Sequence, residues 1–284
     1  MSNQTDPFDI LVEAALMEDV GDGDHSTLCC IPPGVLGRAI LKIKQAGILA
    51  GMETARRIFE GQDPDCLFIP FKQDGDPMEP GQVAFEVEAR VSTILTCERL
   101  VLNCMQRMSG IATLTRQYVD KIAGFHSRIL DTRKTTPNFR LLEKQAVRIG
   151  GGINHRFGLY DMIMLKDNHI DYCGGIEKAI QKARQYVQHQ KPGLSIEVET
   201  RSLEDVRRVM AAGPVDRIML DNFSPEQITA ALDMIKGSAE TEASGGISLD
   251  NIVEYARTGV DFISIGALIH QARSLDLSLK AVIG

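Results

Sequence analysis

Residues 194–221 read LSIEVETRSLEDVRRVMAAGPVDRIMLD, and this stretch indicates the fold of the larger part of the chain. It begins and ends with a short apolar run, and the two runs close on the acids Glu199 and Asp221. Between the runs, apolar residues recur at helical spacing over 202–212. A strand, a helix and a second strand in this order predict two parallel strands that are joined by a right-handed crossover.

The same alternation continues on both sides of this stretch. The strand-like runs are SRILD, DMIMLK, LSIEVE, DRIMLD, ETEAS and DFISIG, and the predicted helices cover 138–149, 174–190, 202–212, 224–236 and 248–258. In the first of these helices, Thr136 is the expected N-cap and Pro137 fits the first turn. Successive strand–helix units suit a complete or shortened (β/α) barrel, with a doubly wound open sheet as the alternative.

The N-terminal part of the chain has a different pattern. Residues 8–20 carry apolar side chains at helical spacing and are followed by the turn-rich GDGDHST. Short apolar or alternating runs separated by Gly and Pro come next, and they predict an antiparallel or mixed sheet. A long helical stretch begins at Ser92, with a break expected near Ser109 and Gly110. We therefore place a domain transition around residues 105–115.

The composition limits the classes of function. The chain has 284 residues, of which 44% are hydrophobic and 24% charged, as in soluble globular proteins. Its formal net charge of -7 argues against general nucleic-acid binding. No apolar run approaches the roughly 18–20 residues that span a bilayer, and no signal-peptide pattern is visible, so we expect a cytoplasmic protein. The cysteines show no metal-ligand or CxxC spacing and are expected to be free thiols.

A chemically useful residue stands at the end of every predicted strand, at separations of 22 to 33 positions. These residues are Arg133 with Lys134, Lys166, Glu199, Asp221, Ser244 with Gly245 and Gly246, and Gly266. Because the carboxyl ends of barrel strands open on one face, we expect them to line one pocket. A single charge at a strand end is ordinarily the first solvated residue of a loop, so the inference depends on all the ends together.

The residue types in this set point to an anionic ligand. Arg133, Lys134 and Lys166, together with His155 and Arg156, make a cationic cluster in an acidic chain. Arginine binds carboxylates and phosphates with two parallel hydrogen bonds, and lysine serves as a point charge toward phosphate.

Two further groups of residues suit a phosphorylated ligand. The stretches SGGI at 244–247 and IGAL at 265–268 offer backbone N–H groups at helix N-termini, as in phosphate-binding loops. Glu199 and Asp221 are the acids at the strand ends, and they could hold Mg²⁺, directly or through water, or accept hydrogen bonds from ribose hydroxyls.

Other interpretations remain open from the residues alone. Lys166 could be the Schiff-base lysine of a barrel aldolase, although the flanking cations favour an anion ligand. A noncatalytic anion-binding protein is a further alternative, and the two acids in the pocket argue against it. The glycine-rich GGGINHR at 150–156 follows a helix, whereas a dinucleotide fingerprint must follow a strand.

The segment DTRKTTPNFRLLEKQAVRIGGGINHRFGLYDMIMLKDNHI at 131–170 closely resembles the quinolinate phosphoribosyltransferases. Similar motifs occur along nearly the whole chain: EDVGDGDHST, GILAG, TCERLVLNCMQRMSGIAT, EVET, LDNF, EASGGI and ISIGAL. The resemblance implies conversion of quinolinate and phosphoribosyl diphosphate (PRPP) to nicotinate mononucleotide, CO₂ and diphosphate in de novo NAD synthesis, with Mg²⁺ and no organic cofactor. A related PRPP-dependent pyrophosphorylase with another acceptor is the alternative within this architecture.

The resemblance also implies an architecture and an assembly. It implies an N-terminal α/β sandwich domain over 1–108 and an incomplete, TIM-like α/β barrel over 109–270, with the tail 271–284 packed back on the first domain. It further implies a homodimer with a shared active site, in which Arg99 reaches the pocket of the partner subunit.

The resemblance assigns roles to the candidate site residues. Arg133, His155, Arg156 and Lys166, with Arg99 from the second subunit, are expected to bind quinolinate. The residues expected to hold PRPP and its metal are Lys134, Glu199, Asp221, Ser244, Gly245, Gly246 and Gly266. Among these, Lys134, Glu199 and Asp221 are the expected catalytic residues.

Overall fold

The structure is a computed structural model and describes residues 6–283. Within these residues the chain forms two compact units. Unit 1 contains the residues up to Arg116, together with Thr135–Gly151 and the C-terminal residues from Ile269. Unit 2 contains Gln117–Lys134 and Gly152–Leu268.

The elements of the N-terminal part alternate between short helices and strands. They are α1 (Pro7–Val20), α2 (His25–Cys30), β1 (Leu36–Ile43), β2 (Gly47–Ile48), α3 (Met52–Gln62), β3 (Leu67–Pro70), β4 (Pro77–Met78), β5 (Val83–Arg90) and α4 (Val91–Lys121).

The rest of the chain alternates strand and helix. Its elements are β6 (Arg128–Leu130), α5 (Arg140–Ile149), β7 (Ile163–Leu165), α6 (Asp167–Cys173), α7 (Ile176–His189), β8 (Ile196–Thr200), α8 (Leu203–Ala212), β9 (Arg217–Asp221), α9 (Pro225–Ile235), β10 (Glu240–Ser244), α10 (Ile252–Arg257), β11 (Phe262–Ser264), α11 (Ala267–His270) and β12 (Leu277–Val282).

Unit 1 is built on a four-stranded antiparallel sheet in the order β12-β1-β5-β3. The C-terminal strand β12 pairs with β1, where Leu41 faces Leu279. Along β1, the alternate residues Ala39, Leu41 and Ile43 are buried. This pattern is expected of a strand in a sheet that packs one face against the core. Phe85 on β5 belongs to the same core and packs edge-on against Phe59 of α3.

The long helix α4 runs without a break over 31 residues, so the expected interruption near Ser109 and Gly110 is wrong. Gly110 lies inside the helix where the backbone of the C-terminal segment passes very close. A Cβ atom at this position would contact the carbonyl oxygen of Arg273 and lie 2.8 Å from its carbonyl carbon. The glycine therefore permits a close backbone approach and does not end the helix.

Unit 2 contains a six-stranded parallel sheet in the order β6-β11-β10-β9-β8-β7. From β7 to β11 each strand lies beside the next one in the chain, and β6 follows β11. The strand order therefore advances in one direction, as in a barrel, whereas a doubly wound sheet reverses it. Within residues 6–283, β6 and β7 remain the two ends of the sheet. The predicted incomplete α/β barrel with an N-terminal sheet domain is confirmed.

Two details of the predicted helices differ from the structure. Thr136 does not cap a helix, because α5 begins at Arg140 and both the backbone N–H and Oγ1 of Thr136 donate to the Glu143 carboxylate, at 2.8 and 2.9 Å. The helix predicted over 174–190 is preceded by the separate helix α6, which ends at the left-handed Gly174. Every helix in the described part of the chain is too short or too polar to cross a membrane.

Candidate active site

A cavity of about 530 Å³ opens at the carboxyl ends of the strands of unit 2. Its lining residues are Thr132, Arg133, Lys134, His155, Arg156, Met164, Lys166, Asp167, Glu199, Met219, Asp221, Glu242, Ser244 and Ser264. Eight of the predicted site residues are among them. Unit 1 has cavities of about 610 and 760 Å³, but their walls carry no comparable cluster of cations within the described residues.

The parallel register explains why these side chains meet. Ser244 on β10 lies beside Asp221 on β9, and Glu199 on β8 lies beside Met219 on β9. Side chains two positions apart on a strand point to the same face, so Glu197 and Glu199 both face the inside of the sheet. The sheet thus presents an outer layer of functional groups at the strand ends and a deeper layer two residues earlier in the strands.

The cations of the cavity lie close enough to repel one another. Burial lowers the pKa of Arg156, and the positive charge of Arg133 lowers it further. Arg156 is held by a hydrogen bond from Nη1 to the carbonyl oxygen of Met162, at 3.3 Å. Two guanidinium groups that face the same cavity favour a ligand with two negative groups, because such a ligand relieves their repulsion.

Lys166 and Glu199 form an ion pair inside the cavity. The distance from Nζ to Oε2 is 3.2 Å, and the Lys166 side chain is about half exposed while Glu199 is largely covered. The backbone N–H of Lys166 donates to Nδ1 of His169 at the start of α6, which fixes the end of β7. Glu199 therefore has a cationic partner before any ligand binds.

His155 is buried, and protein groups contact both of its ring nitrogens. Nε2 lies 2.9 Å from Oε2 of Glu197 and 3.3 Å from Oε2 of Glu242. Nδ1 accepts a hydrogen bond from the backbone N–H of Arg156 at 2.6 Å, and the N–H of His155 donates to Asp131 at 2.8 Å. The predicted role of His155 as a quinolinate ligand stays a prediction, since its nitrogens point to these groups.

The protonation of His155 is subject to two opposing influences. Burial lowers its pKa, but the hydrogen bonds and charges of Glu197 and Glu242 outweigh burial and raise the pKa to about 9. An imidazolium would carry a proton on Nδ1, where the Arg156 N–H already points. The contact with Arg156 therefore opposes protonation of Nδ1, whereas the contacts with Glu197 and Glu242 favour a proton on Nε2.

The two deeper acids are balanced by a buried arginine. Burial and the neighbouring Glu242 raise the pKa of Glu197 to about 7. Burial acts in the same sense on Glu242, but His155, Ser264 and Arg217 outweigh it and lower the pKa of that carboxyl. Arg217 donates through Nη1 to Glu242 at 3.1 Å. His155, Glu197 and Glu242 have the spacing of a metal site, but Arg217 already supplies the cation that these acids need.

Glu199 and Asp221 are the carboxylates at the strand ends that offer donors for Mg²⁺. Both line the cavity that also holds the cations, and carboxylate oxygens are the ligands that Mg²⁺ prefers beside substrate phosphates. The donor set therefore fits a magnesium ion that is bound together with a phosphorylated substrate.

The loop after β10 contains two consecutive glycines with positive φ. Gly245 and Gly246 have φ values of 92° and 66°, a region that favours glycine. Gly266 lies immediately before α11. These three glycines are not part of the cavity lining, and their predicted contact with phosphate stays a prediction.

Asn222 is a residue beside the cavity that the sequence analysis did not identify. It follows Asp221 directly, and its Nδ2 donates to Oδ2 of Asp221 at 2.7 Å. The sequence offered one signal, the LDNF motif, in which the asparagine stands beside the predicted acid.

Two other arginines of the sequence lie in unit 1. Arg99 is exposed on α4, and its predicted contact with a second subunit stays a prediction. Arg107 is a structural residue: it donates to Glu143 at 2.8 Å and to the carbonyl oxygen of Ala272 at 2.7 Å, which ties α4 to α5 and to the C-terminal segment.

The chain resembles known proteins over nearly its whole length. The family models described as quinolinate phosphoribosyl transferase, N-terminal domain and C-terminal domain, match residues 24–109 and 111–280. The quinolinate phosphoribosyltransferase [decarboxylating] 1b of Nicotiana tabacum is 42% identical over 95% of this chain and 81% of the relative. The probable nicotinate-nucleotide pyrophosphorylase [carboxylating] of Bacillus subtilis is 42% identical over 96% of this chain and 93% of the relative.

Solved structures show the same similarity. The crystal structure of NadC from Streptococcus pyogenes superposes with a TM-score of 0.89 at 42% identity, covering 99% of this chain and 100% of that one. The nicotinate-nucleotide pyrophosphorylase from Francisella tularensis superposes with a TM-score of 0.88 at 37% identity, covering 98% of each chain. Two matching domain models, relatives above 40% identity and this structural agreement lead to one conclusion: the chain belongs to the quinolinate phosphoribosyltransferase family.

Proposed function

We propose that the chain converts quinolinate and PRPP to nicotinate mononucleotide, CO₂ and diphosphate, in the de novo synthesis of NAD. The observation that carries the proposal is the cavity at the strand ends of unit 2, which combines two adjacent guanidinium groups and two lysines with four carboxylates. Quinolinate is a dianion, and PRPP brings a monophosphate and a diphosphate. The four cationic side chains suit the anionic groups of these substrates, and the carboxylates suit Mg²⁺ and the ribose hydroxyls.

The acceptor binds on the side of Arg133 and Arg156. Two guanidinium groups can hold the two ring carboxylates of quinolinate and orient the pyridine nitrogen toward the ribose. Lys166 is paired with Glu199 in the ligand-free cavity, and it can exchange this partner for a substrate carboxylate. His155 supports the same side through its contact with the Arg156 backbone.

The phosphoribosyl donor binds on the opposite side of the cavity. Lys134 is exposed and serves as a point charge toward phosphate. The glycine-containing turn at 244–246 and Gly266 offer backbone N–H groups to phosphate oxygens. Glu199 and Asp221 hold Mg²⁺ or accept hydrogen bonds from the ribose hydroxyls, and bound Mg²⁺ neutralises charge on the diphosphate.

The reaction follows from these positions. The bond between ribose C1 and the diphosphate oxygen breaks, the diphosphate leaves with the electron pair, and Lys134 stabilises its charge. Glu199 and Asp221 stabilise the positive charge that develops at ribose C1. The pyridine nitrogen donates its lone pair to C1 and becomes cationic. The bond to the 2-carboxylate then breaks and CO₂ leaves. Its electron pair stays on ring carbon C2, where the adjacent cationic nitrogen stabilises it, and a proton from solvent bonds to this carbon, so no protein base is required.

The site is completed by a second copy of the chain. In the homodimer that we propose, Arg99 of each subunit adds a further cation to the quinolinate side of the other subunit. A cytoplasmic location is part of the same proposal and rests on the sequence.

A direct assay tests the reaction. Purified protein is incubated with PRPP, Mg²⁺ and quinolinate, and nicotinate mononucleotide and CO₂ are measured together. We expect equal amounts of the two products and no product without PRPP. Nicotinate is the matched control acceptor because it lacks the 2-carboxylate. Absence of turnover with quinolinate, or faster turnover with nicotinate, would contradict the proposal.

A further inference from the structure

Asn222 occupies a strained backbone position at the end of β9. Its φ of 59° lies in the left-handed region, which non-glycine residues adopt rarely and asparagine adopts more readily than others. This conformation turns the chain sharply after Asp221. The backbone N–H of Asn222 then donates to the carbonyl oxygen of Ser244 on β10, at 2.7 Å. Strain of this kind persists only where surrounding contacts hold it.

The side chain of Asn222 contacts two predicted parts of the donor site. Its Nδ2 donates to Oδ2 of Asp221 at 2.7 Å. On the other side it packs against Gly245, where a Cβ atom would contact Oδ1 and lie 2.6 Å from Cγ of Asn222. Gly245 therefore has two reasons to be glycine, its φ of 92° and the space that Asn222 takes. One asparagine thus links the carboxylate to the glycine-containing turn.

The partner of Asp221 differs in charge from the partner of Glu199. Lys166 neutralises Glu199, whereas the amide of Asn222 fixes Asp221 by a hydrogen bond and adds no charge. The hydrogen bond therefore restricts the orientation of the Asp221 carboxylate without a cationic partner beside it. A carboxylate of this kind is suited to a developing positive charge on a sugar.

We propose that Asn222 is a positioning residue for the phosphoribosyl donor. It fixes the position of the Asp221 carboxylate relative to the turn Ser244–Gly246. The ribose and a phosphate of PRPP are then bound at the correct distance from each other. This inference rests on the proposed function and deepens it. It concerns the donor side of the cavity and leaves the acceptor side unaffected.

The substitution Asn222→Gly tests the proposal because glycine keeps the left-handed backbone and removes the amide. The matched control is Asn138→Gly, since Asn138 has nearly the same φ, 62°, and belongs to unit 1, whereas the cavity and Asn222 belong to unit 2. Steady-state kinetics are measured for both substrates, together with the melting temperature with and without PRPP and Mg²⁺.

For Asn222→Gly we expect a fall in kcat and a rise in KM for PRPP that together lower kcat/KM about 10-fold to 100-fold. We expect KM for quinolinate to change less than about twofold, because Arg133 and Arg156 are untouched. The rise in melting temperature that PRPP causes becomes smaller. Asn138→Gly keeps the kinetics of the unmodified protein. A purely structural role would lower the melting temperature of the ligand-free protein and leave both KM values unchanged.

A second variant keeps the proposal testable if Asn222→Gly misfolds. Asn222→Asp keeps the size of the side chain and tolerates the same backbone, but it places a second carboxylate against Asp221. We expect a loss in kcat/KM for PRPP at least as large as that of Asn222→Gly.

A further check is the double-mutant cycle with Gly245→Ala, whose added Cβ has its closest contacts with the Asn222 side chain. The two effects on kcat/KM should be clearly less than additive.

The outcomes separate the inference from the proposed function. If the unmodified protein does not turn over quinolinate, the proposed function fails. If the unmodified protein is active and Asn222→Gly keeps its KM for PRPP and its kcat, Asn222 is not a positioning residue. Full additivity in the double-mutant cycle, or equal losses for Asn222→Gly and Asn138→Gly, would overturn the inference as well.

Discussion

His155, Glu197, Glu242 and Arg217 form a buried group of charges in the sheet of unit 2, one layer below the strand-end residues. Charges at this depth are stable only when each has a partner, because desolvation of an unpaired charge costs several kcal/mol. Here His155 lies between Glu197 and Glu242, Arg217 contacts Glu242 as well, and the distances between paired atoms are 2.9 to 3.3 Å. The group therefore holds the floor of the cavity, including the loop that carries Arg156, in one arrangement.

The two acids that Arg217 contacts allow a matched test of this view. Glu242 is fully buried, whereas the Glu240 side chain is 53% exposed. We expect Glu242→Ala to lower the free energy of unfolding by about 3 kcal/mol, because it leaves buried donors without an acceptor. Glu240→Ala should cost less than about 1 kcal/mol, since solvent replaces the lost partner. Urea unfolding of both variants measures the difference, and equal losses would contradict it.

At the scale of elements, α4 and the C-terminal segment show that close packing of two backbones can outweigh the helix propensity of a single residue. Glycine in a helix interior usually lowers helix stability, and alanine is the better helix former by about 1 kcal/mol. In α4 this preference is outweighed, because the backbone of Arg273 and Ser274 lies against Gly110. The same C-terminal segment continues into β12, which completes the sheet of unit 1 beside β1.

Two Gly→Ala substitutions in helices of unit 1 test this interpretation. In Gly110→Ala the new methyl group would overlap the Arg273 backbone, so we expect a loss of about 1 to 3 kcal/mol in the free energy of unfolding. Gly61 lies in α3, and apart from its chain neighbours and the backbone of its own helix no atom of the described residues comes within 4 Å of the place that an added methyl group would take, so Gly61→Ala should gain up to about 1 kcal/mol. Thermal and urea unfolding measure both, and a stabilising Gly110→Ala would show that the close approach is unimportant.

At the scale of the whole molecule, the proposed function depends on more than one chain. Arg99 belongs to unit 1, whereas the acids and lysines of the cavity belong to unit 2. We propose from the family resemblance that Arg99 reaches the site of a second subunit. A cation from a partner would add to the charge that binds the dianionic acceptor, and it would make activity dependent on dimer formation.

Mixing of two inactive variants tests this shared site. We expect Arg99→Ala and Lys166→Ala each to lose most of their activity alone. In a mixed dimer one site carries both defects and the other carries neither, so mixtures should regain part of the activity. Quinolinate turnover is measured after subunit exchange, with each variant alone as the control. Verified heterodimers that stay inactive would argue against a shared site.

The sequence predicted the strand–helix alternation of unit 2 and the polar residues at the strand ends, because both depend on local periodicity. Arg133, Lys166, Glu199 and Asp221 line one cavity, as the barrel hypothesis required. The interruption of α4 was predicted wrongly, because the prediction considered only the low helix propensity of Gly110. Asn222 was missed for a related reason: its contact with Gly245 joins the ends of two strands.

By itself, the sequence determined the class of fold, the order of strands and helices and the residues that end each strand. Spacing along the chain encodes these features, since a strand or helix shows its buried face within a few residues. The tertiary structure alone decided which strands are neighbours, which acids pair with His155 and Arg217, and which atoms an added side chain would meet at Gly110 and Gly245. These are contacts between residues far apart in the chain, and their energies arise only after the sheet has brought the residues together.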